Sequence, residues 1–237
     1  MSNRLTGTPS DNPLASEKKP SLFGTDGVRG IVGQFPLLPD FVLRLGAATG
    51  AVMLRSAVRP TIVVGRDTRQ SGQLLQQALT AGLLTAGATI VDVGVIPTPG
   101  VAYLVRKLGA QAGIVISASH NPVDQNGIKI FNAASTKLSA EIEAEIEQLA
   151  LSPHISEQPV SHRFGRCIDG NGMRELYLDD LLSEHPGLRL DGLTLLLDCA
   201  NGAASWYASE CFTRLGAQVV TIHASPTGLN INVKSGS

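Results

Sequence analysis

The stretch TIVVGRDTRQSGQLLQQALTAGLLTAGATIVDVGVIPTPGVAYLVRKLGAQAGIVI, residues 61–116, decides the fold. It opens on an apolar, β-branched run at 61–64, passes into helical spacing at 71–86 and returns to an apolar run at 88–93. The turn-forming IPTPG leads to a second helix at 101–108 and a third apolar run at 112–116. Short apolar runs separated by amphipathic segments spell β-α-β-α-β. Because the runs are continuous rather than alternating, both faces of each strand are expected to be buried. That calls for an α/β fold with a mixed, mainly parallel sheet and helices on both faces. Ligands of such sheets bind in loops at the carboxyl ends of the strands.

Working outward, Ser139 is placed to cap a helix running to about residue 151, with Glu141 near its positive end and Ile142, Ile146 and Leu149 along one stripe. Residues 152–163 are rich in Pro and Ser and read as a linker or surface excursion. A second unit is expected to open with a helix at 173–183, followed by a strand at 193–197, a glycine turn, a helix at 203–215 and a strand at 218–222. The last fifteen residues, HASPTGLNINVKSGS, carry no helix or strand pattern. The chain therefore divides into a polar, disordered tail at 1–20, a first domain at 21–168, and a truncated second α/β domain at 169–237 that is too short for a complete doubly wound sheet.

Nineteen basic and twenty acidic residues leave a formal net charge of −1. Such a balance gives no electrostatic footprint for nucleic acid or an anionic membrane, so an anionic ligand must be caught locally. The first twenty residues contain no apolar core of a signal peptide, and no uncharged apolar run approaches the roughly 18 residues that span a bilayer. Cys167, Cys199 and Cys211 are odd in number and lack paired metal-ligand spacing, which fits a reducing cytoplasm.

Three segments concentrate chemistry. In GIVISASHNPVDQNGIKIF, residues 113–131, a strand delivers Ser117, Ala118, Ser119, His120 and Asn121 at its carboxyl end. Asn126-Gly127 reads as a turn into a short strand that carries Lys129. A nucleophilic serine needs a base or metal beside it, while His120, Asn121 and backbone amides can donate to an anion. The same residues are also ordinary loop formers. In LFGTDGVRG, residues 22–30, Gly24, Gly27 and Gly30 permit close backbone approach and Arg29 offers a planar fork for phosphate, or the segment is simply a glycine-rich turn. In VGRDTRQSG, residues 64–72, Arg66, Asp67 and Arg69 occupy a strand-to-helix junction suited to an anion. Pairing of Asp67 with Arg66 or Arg69 to brace the loop is the favoured reading.

SASHNP followed by NGIK resembles the phosphoserine loop of the α-D-phosphohexomutase superfamily. LFGTDGVRG, DCANGAAS at 198–205 and GLNIN at 228–232 are similar to the phosphoglucosamine branch of that superfamily. The resemblance implies that Ser119, not Ser117, carries a transferable phosphoryl group, with His120, Lys129 and Arg29 at the catalytic centre. Asn121, Arg66, Asp67 and Arg69 would bind phosphate or stand behind it. It implies a hexosamine phosphate substrate and a hexose bisphosphate intermediate, interconverting glucosamine 6-phosphate and glucosamine 1-phosphate toward cell-wall precursors. Mg²⁺ is the implied cofactor, touching Ser119 through its phosphate and three aspartates of a DGDxDR loop. No such loop occurs in this chain, and beyond Asp198 the only acidic side chain is Glu210. The chain alone is therefore expected to lack appreciable turnover. Phosphoglucomutase or phosphomannomutase activity, or a non-catalytic phosphosugar-binding or interaction module, are the alternatives. A Ser-His hydrolase is disfavoured, since Ser119 lacks a G-x-S-x-G setting.

Overall fold

A computed structural model describes residues 22–155 and 164–236. The tail at 1–20 and most of the 152–163 linker lie outside the described residues. In chain order the elements are β1 (Val28–Ile31), α1 (Pro39–Met53), β2 (Thr61–Arg66), α2 (Gln70–Thr85), β3 (Thr89–Val95), α3 (Thr98–Leu108) and β4 (Ala112–Ile116). They continue with β5 (Gln125–Asn132), α4 (Ala140–Leu151), β6 (Arg166–Asp169), α5 (Met173–Ser183), β7 (Thr194–Asp198), α6 (Ser205–Arg214) and β8 (Gln218–Ile222).

The first six strands form one sheet in the order β1-β5-β4-β2-β3-β6. β4, β2, β3 and β6 run parallel, while β5 is antiparallel to β4 and to β1. Alternate residues of the buried strands serve opposite cores. Ile62, Val64, Ile90, Ile114 and Ile128 pack with Phe41, Leu45, Leu79, Leu83 and Ile146 from α1, α2 and α4. Val63, Val91, Val93 and Val115 pack on the other face with Val101, Leu104 and Val105 of α3 and Tyr177 of α5. Burial on both sides is what the continuous apolar runs demand.

Helix ends follow local chemistry. Pro39 opens α1, and the Ser139 hydroxyl accepts the Ile142 amide at the start of α4. Gly109 closes α3 at φ 61, a left-handed conformation that glycine adopts without penalty. α1 and α2 approach unusually closely: a Cβ on Gly46 would run into the Leu79 carbonyl, and one on Gly82 into the Leu43 carbonyl. Among the described residues no helix is long and apolar enough to cross a membrane.

Three elements differ from the sequence expectation. Asn126-Gly127 is not a turn; the chain has already reversed by Gln125, and both residues sit in β5 opposite Gly30 and Arg29 of β1. LFGTDGVRG is a turn only at 24–27 and then becomes the edge strand β1. β6 extends the first sheet by pairing with β3, and α5, expected to open a second unit, packs against α3 because Tyr177 and Leu178 are buried. β7 and β8 form a separate parallel pair with α6 beside them.

Candidate functional site

Two neighbouring strand ends build the site. β2 and β4 are parallel neighbours with Arg66 beside Ile116, so the chain leaves both at the same sheet edge. The Asp67 amide donates to the Ile116 carbonyl at 3.0 Å. The buried Asp67 carboxylate accepts the Ser117 hydroxyl at 2.7 Å, the Arg69 amide at 2.9 Å and Arg69 Nε at 3.0 Å. The Arg69 side chain is fully buried. Its Nη1 donates to the Pro122 carbonyl at 2.6 Å, and its Nη2 donates to the carbonyls of Ser119 and Asn121, both at 2.9 Å. A buried ion pair is tolerated only when its remaining donors and acceptors are matched, and the loop carbonyls complete that match. The 117–122 loop is thus wrapped around a fixed cation.

Ser119 occupies the outer turn of this loop at φ 55. Non-glycine residues seldom take that conformation, and where they do it is often at functional sites. Its amide donates to the Ser117 hydroxyl at 3.0 Å, and its carbonyl accepts both Arg69 Nη2 and Asn232 Nδ2, the latter at 2.8 Å. The main chain of Ser119 is fully engaged, the residue is exposed, and its hydroxyl has no hydrogen bond among the described residues. Ser117, by contrast, is buried with its hydroxyl committed to Asp67.

Arg29 and Lys129 reach the same sheet face from adjacent strands. Arg29 stands opposite Gly127, and Lys129 follows two residues later on β5, opposite Val115 of β4. Asp26 holds both: Arg29 Nη2 lies 2.9 Å from one carboxylate oxygen and Lys129 Nζ 4.0 Å from the other. Arg29 Nε is buried and has no hydrogen-bond partner among the described residues. Gly127 permits this approach, since a Cβ there would lie 2.8 Å from the Ser117 carbonyl and 2.9 Å from Arg29 Cγ.

The remaining sequence candidates have different surroundings. His120 is exposed beside Ser119. The Asn121 amide group donates to Gln125 at 2.7 Å, so it braces the loop from within. Arg66 donates to Gln76 at 2.7 Å and lies 3.9 Å from Asp92, away from the contacts that shape the serine loop. Lys129 also lines a cleft of 250 Å³ with Asp26, Thr98, Lys137 and Glu143. Roomier clefts lie beside α2 (530 Å³) and beside α6, where Thr68, Val95 and Arg174 face it (380 Å³), but Ser119 lines neither.

Residues 20–154 match the family described as phosphoglucomutase/phosphomannomutase, alpha/beta/alpha domain I. The chain belongs to that family. It is 49% identical over 218 residues to a phosphoglucosamine mutase of Neisseria gonorrhoeae, covering 91% of this chain and 49% of that protein. It is 49% identical over 217 residues to a phosphoglucosamine mutase of Moorella thermoacetica, with 91% and 48% covered. The fold is similar to the crystal structure of a phosphoglucomutase/phosphomannomutase family protein from Burkholderia thailandensis, at a TM-score of 0.72 and 27% identity over 88% of this chain and 45% of that one. The chain spans about half the length of the curated relatives it matches.

Around the serine loop, two contributors escape sequence reasoning. Asp26 lies inside a quoted motif, but only the folded turn before β1 shows that it faces both Arg29 and Lys129. Asn232 belongs to GLNIN, 113 residues from the serine it touches, a distance that no spacing rule bridges.

Proposed function

We propose that this chain supplies the serine-bearing half of a phosphoglucosamine mutase, interconverting glucosamine 6-phosphate and glucosamine 1-phosphate through a phosphorylated Ser119 and a hexose bisphosphate. The observation that carries this reading is the engagement of Ser119: its main-chain amide and carbonyl are tied down, while the residue is exposed and its hydroxyl has no hydrogen bond among the described residues. Phosphoryl transfer depends mainly on positioning and on neutralising charge at the equatorial oxygens. A serine fixed by its backbone answers the first requirement, and Arg29 and Lys129 on the adjoining strands answer the second. The 49% identity to two proteins named phosphoglucosamine mutase favours an amino sugar. We place the protein in the cytoplasm and set the division between its two bodies after α5.

Mg²⁺ is the cofactor implied by the resemblance. Among the described residues no group of three or more His, Cys, Asp or Glu side chains is arranged to hold a metal ion, so the residues present do not fit a magnesium site by themselves. The reading assigns this chain one contribution to the ion, a phosphate oxygen on Ser119.

The test is a chimera that joins this chain to the remainder of the Neisseria relative at the end of their matched region. The expected result is interconversion of the two glucosamine phosphates, faster than of glucose or mannose phosphates, with phosphate mapped to Ser119 and no turnover for Ser119→Ala. An active Ser119→Ala chimera would sink the proposal.

A further inference from the structure

The GLNIN segment at 228–232 is left unused by the reading above, yet it makes the contacts that join the two bodies at the serine loop. The turn after β7 anchors it: buried Asn201 accepts the Ser225 amide at 3.1 Å and donates through Nδ2 to the Asn230 carbonyl at 3.2 Å, and the Asn232 amide donates to the Ala200 carbonyl at 2.9 Å. Thr68, one residue before Arg69, donates its hydroxyl to the Asn201 carbonyl at 2.5 Å, and the Gln70 amide donates to the Gly228 carbonyl at 2.9 Å. From that platform Asn232, itself at φ 60, extends Nδ2 to the Ser119 carbonyl at 2.8 Å and to the Asn121 carbonyl at 3.2 Å.

These are the carbonyls that Arg69 Nη2 holds from the buried side. A carbonyl oxygen has two lone pairs, and at Ser119 and Asn121 one is taken by a guanidinium rooted in the first body and the other by an amide rooted in the second. Arg69 fixes where the loop lies. Without the second donor, the peptide after Ser119 is held from the Arg69 side alone, and the left-handed conformation, which a non-glycine residue leaves readily, loses one of its two restraints on that carbonyl.

We propose that Asn232 is a positioning residue: it completes a two-sided clamp that holds Ser119 in its left-handed conformation, and so makes the presentation of the hydroxyl depend on docking of the second body. The idea rests on the phosphoserine reading for its chemical consequence but not for its geometry.

Two variants of the full chain separate these. Asn232→Asp keeps the shape but replaces the amide donor with a carboxylate facing two carbonyls. Asn232→Gly keeps the positive φ and removes the side chain. Amide hydrogen exchange over 117–123, read by mass spectrometry, is expected to accelerate about tenfold in both, as loss of one or two net hydrogen bonds predicts. Thermal melting of the first body should be unchanged. The same variants in the Neisseria chimera should lower kcat about tenfold with KM for the sugar phosphate unchanged. Native exchange in both variants, or acceleration spread evenly over the chain, would overturn the clamp. Accelerated exchange with native kcat would overturn its link to reactivity. A chimera that never acquires phosphate on Ser119 would refute the phosphoserine reading instead, and exchange alone would then decide on the clamp.

Discussion

Replacing Arg69 with alanine tests the brace beneath the serine loop. The wild-type guanidinium satisfies a buried carboxylate and three loop carbonyls, and the Asp67 carboxylate stays buried when it is gone. Removing one partner of a buried ion pair costs about 3–5 kcal/mol, because the survivor keeps its desolvation cost. The Ser117 hydroxyl and the Arg69 backbone amide still donate to Asp67, and Asn232 still reaches two of the carbonyls, which places the loss near the lower end of that range. In urea, with a slope of about 2–3 kcal/mol per molar, the midpoint should fall by about 1–2 M. Arg69→Lys should recover less than half, since a single ammonium cannot reproduce the planar fork. Asp67→Ala combined with Arg69→Ala should cost less than the sum of the single changes by about 2 kcal/mol, because neither charge is then stranded. Circular dichroism in urea measures all four. A loss below about 1 kcal/mol for Arg69→Ala, or strict additivity in the double variant, would refute the reasoning.

Other expectations follow from the same structure. Gly82→Ala drives a methyl into the Leu43 carbonyl between α1 and α2 and should destabilise by about 1–3 kcal/mol in the same assay, whereas helix propensity alone would make it stabilising. Cys167 is exposed, but partial burial and the nearby Asp92 push its thiol up, so at pH 8 it should alkylate more slowly than a free-cysteine peptide and faster in Asp92→Asn; equal rates would contradict this. The Asp198 carboxylate is held below the ordinary aspartate range, first by the Ala200 amide and then by the Gly236 amide. Its contribution to stability should be whole above about pH 4 and be lost as the pH falls through the lower folded value. An acid titration of native and Asp198→Asn chains should show that difference, and overlapping curves would exclude it.

Much of the first body can be read from residues alone. The strands at β2, β3 and β4 are legible because sandwiching between helices demands uninterrupted β-branched runs, and the Ser139 cap marks α4. α1 is harder: Gly46 and Gly50 weaken the helical signal, yet these glycines are what admit α2 so closely. β1 becomes a strand only because β5 lies beside it, and α5 packs against α3 through buried Tyr177, with Met173, Leu176 and Leu181 partly buried around the same core. At the site, the bracing role of Asp67 and Arg69 follows from adjacent opposite charges at a strand end. The contacts of Asp26 and Asn232 require tertiary proximity that no local pattern encodes.

The long separation between Ser119 and Asn232 also sets a timetable for synthesis. A ribosome adding about 5–20 residues per second would need roughly 6–23 s to advance the 113 positions from one to the other. During that interval the nascent first body can fold, with Arg69 already in place, while the outer side of the serine loop waits for its partner. The candidate nucleophile is therefore the part of its own body that matures last.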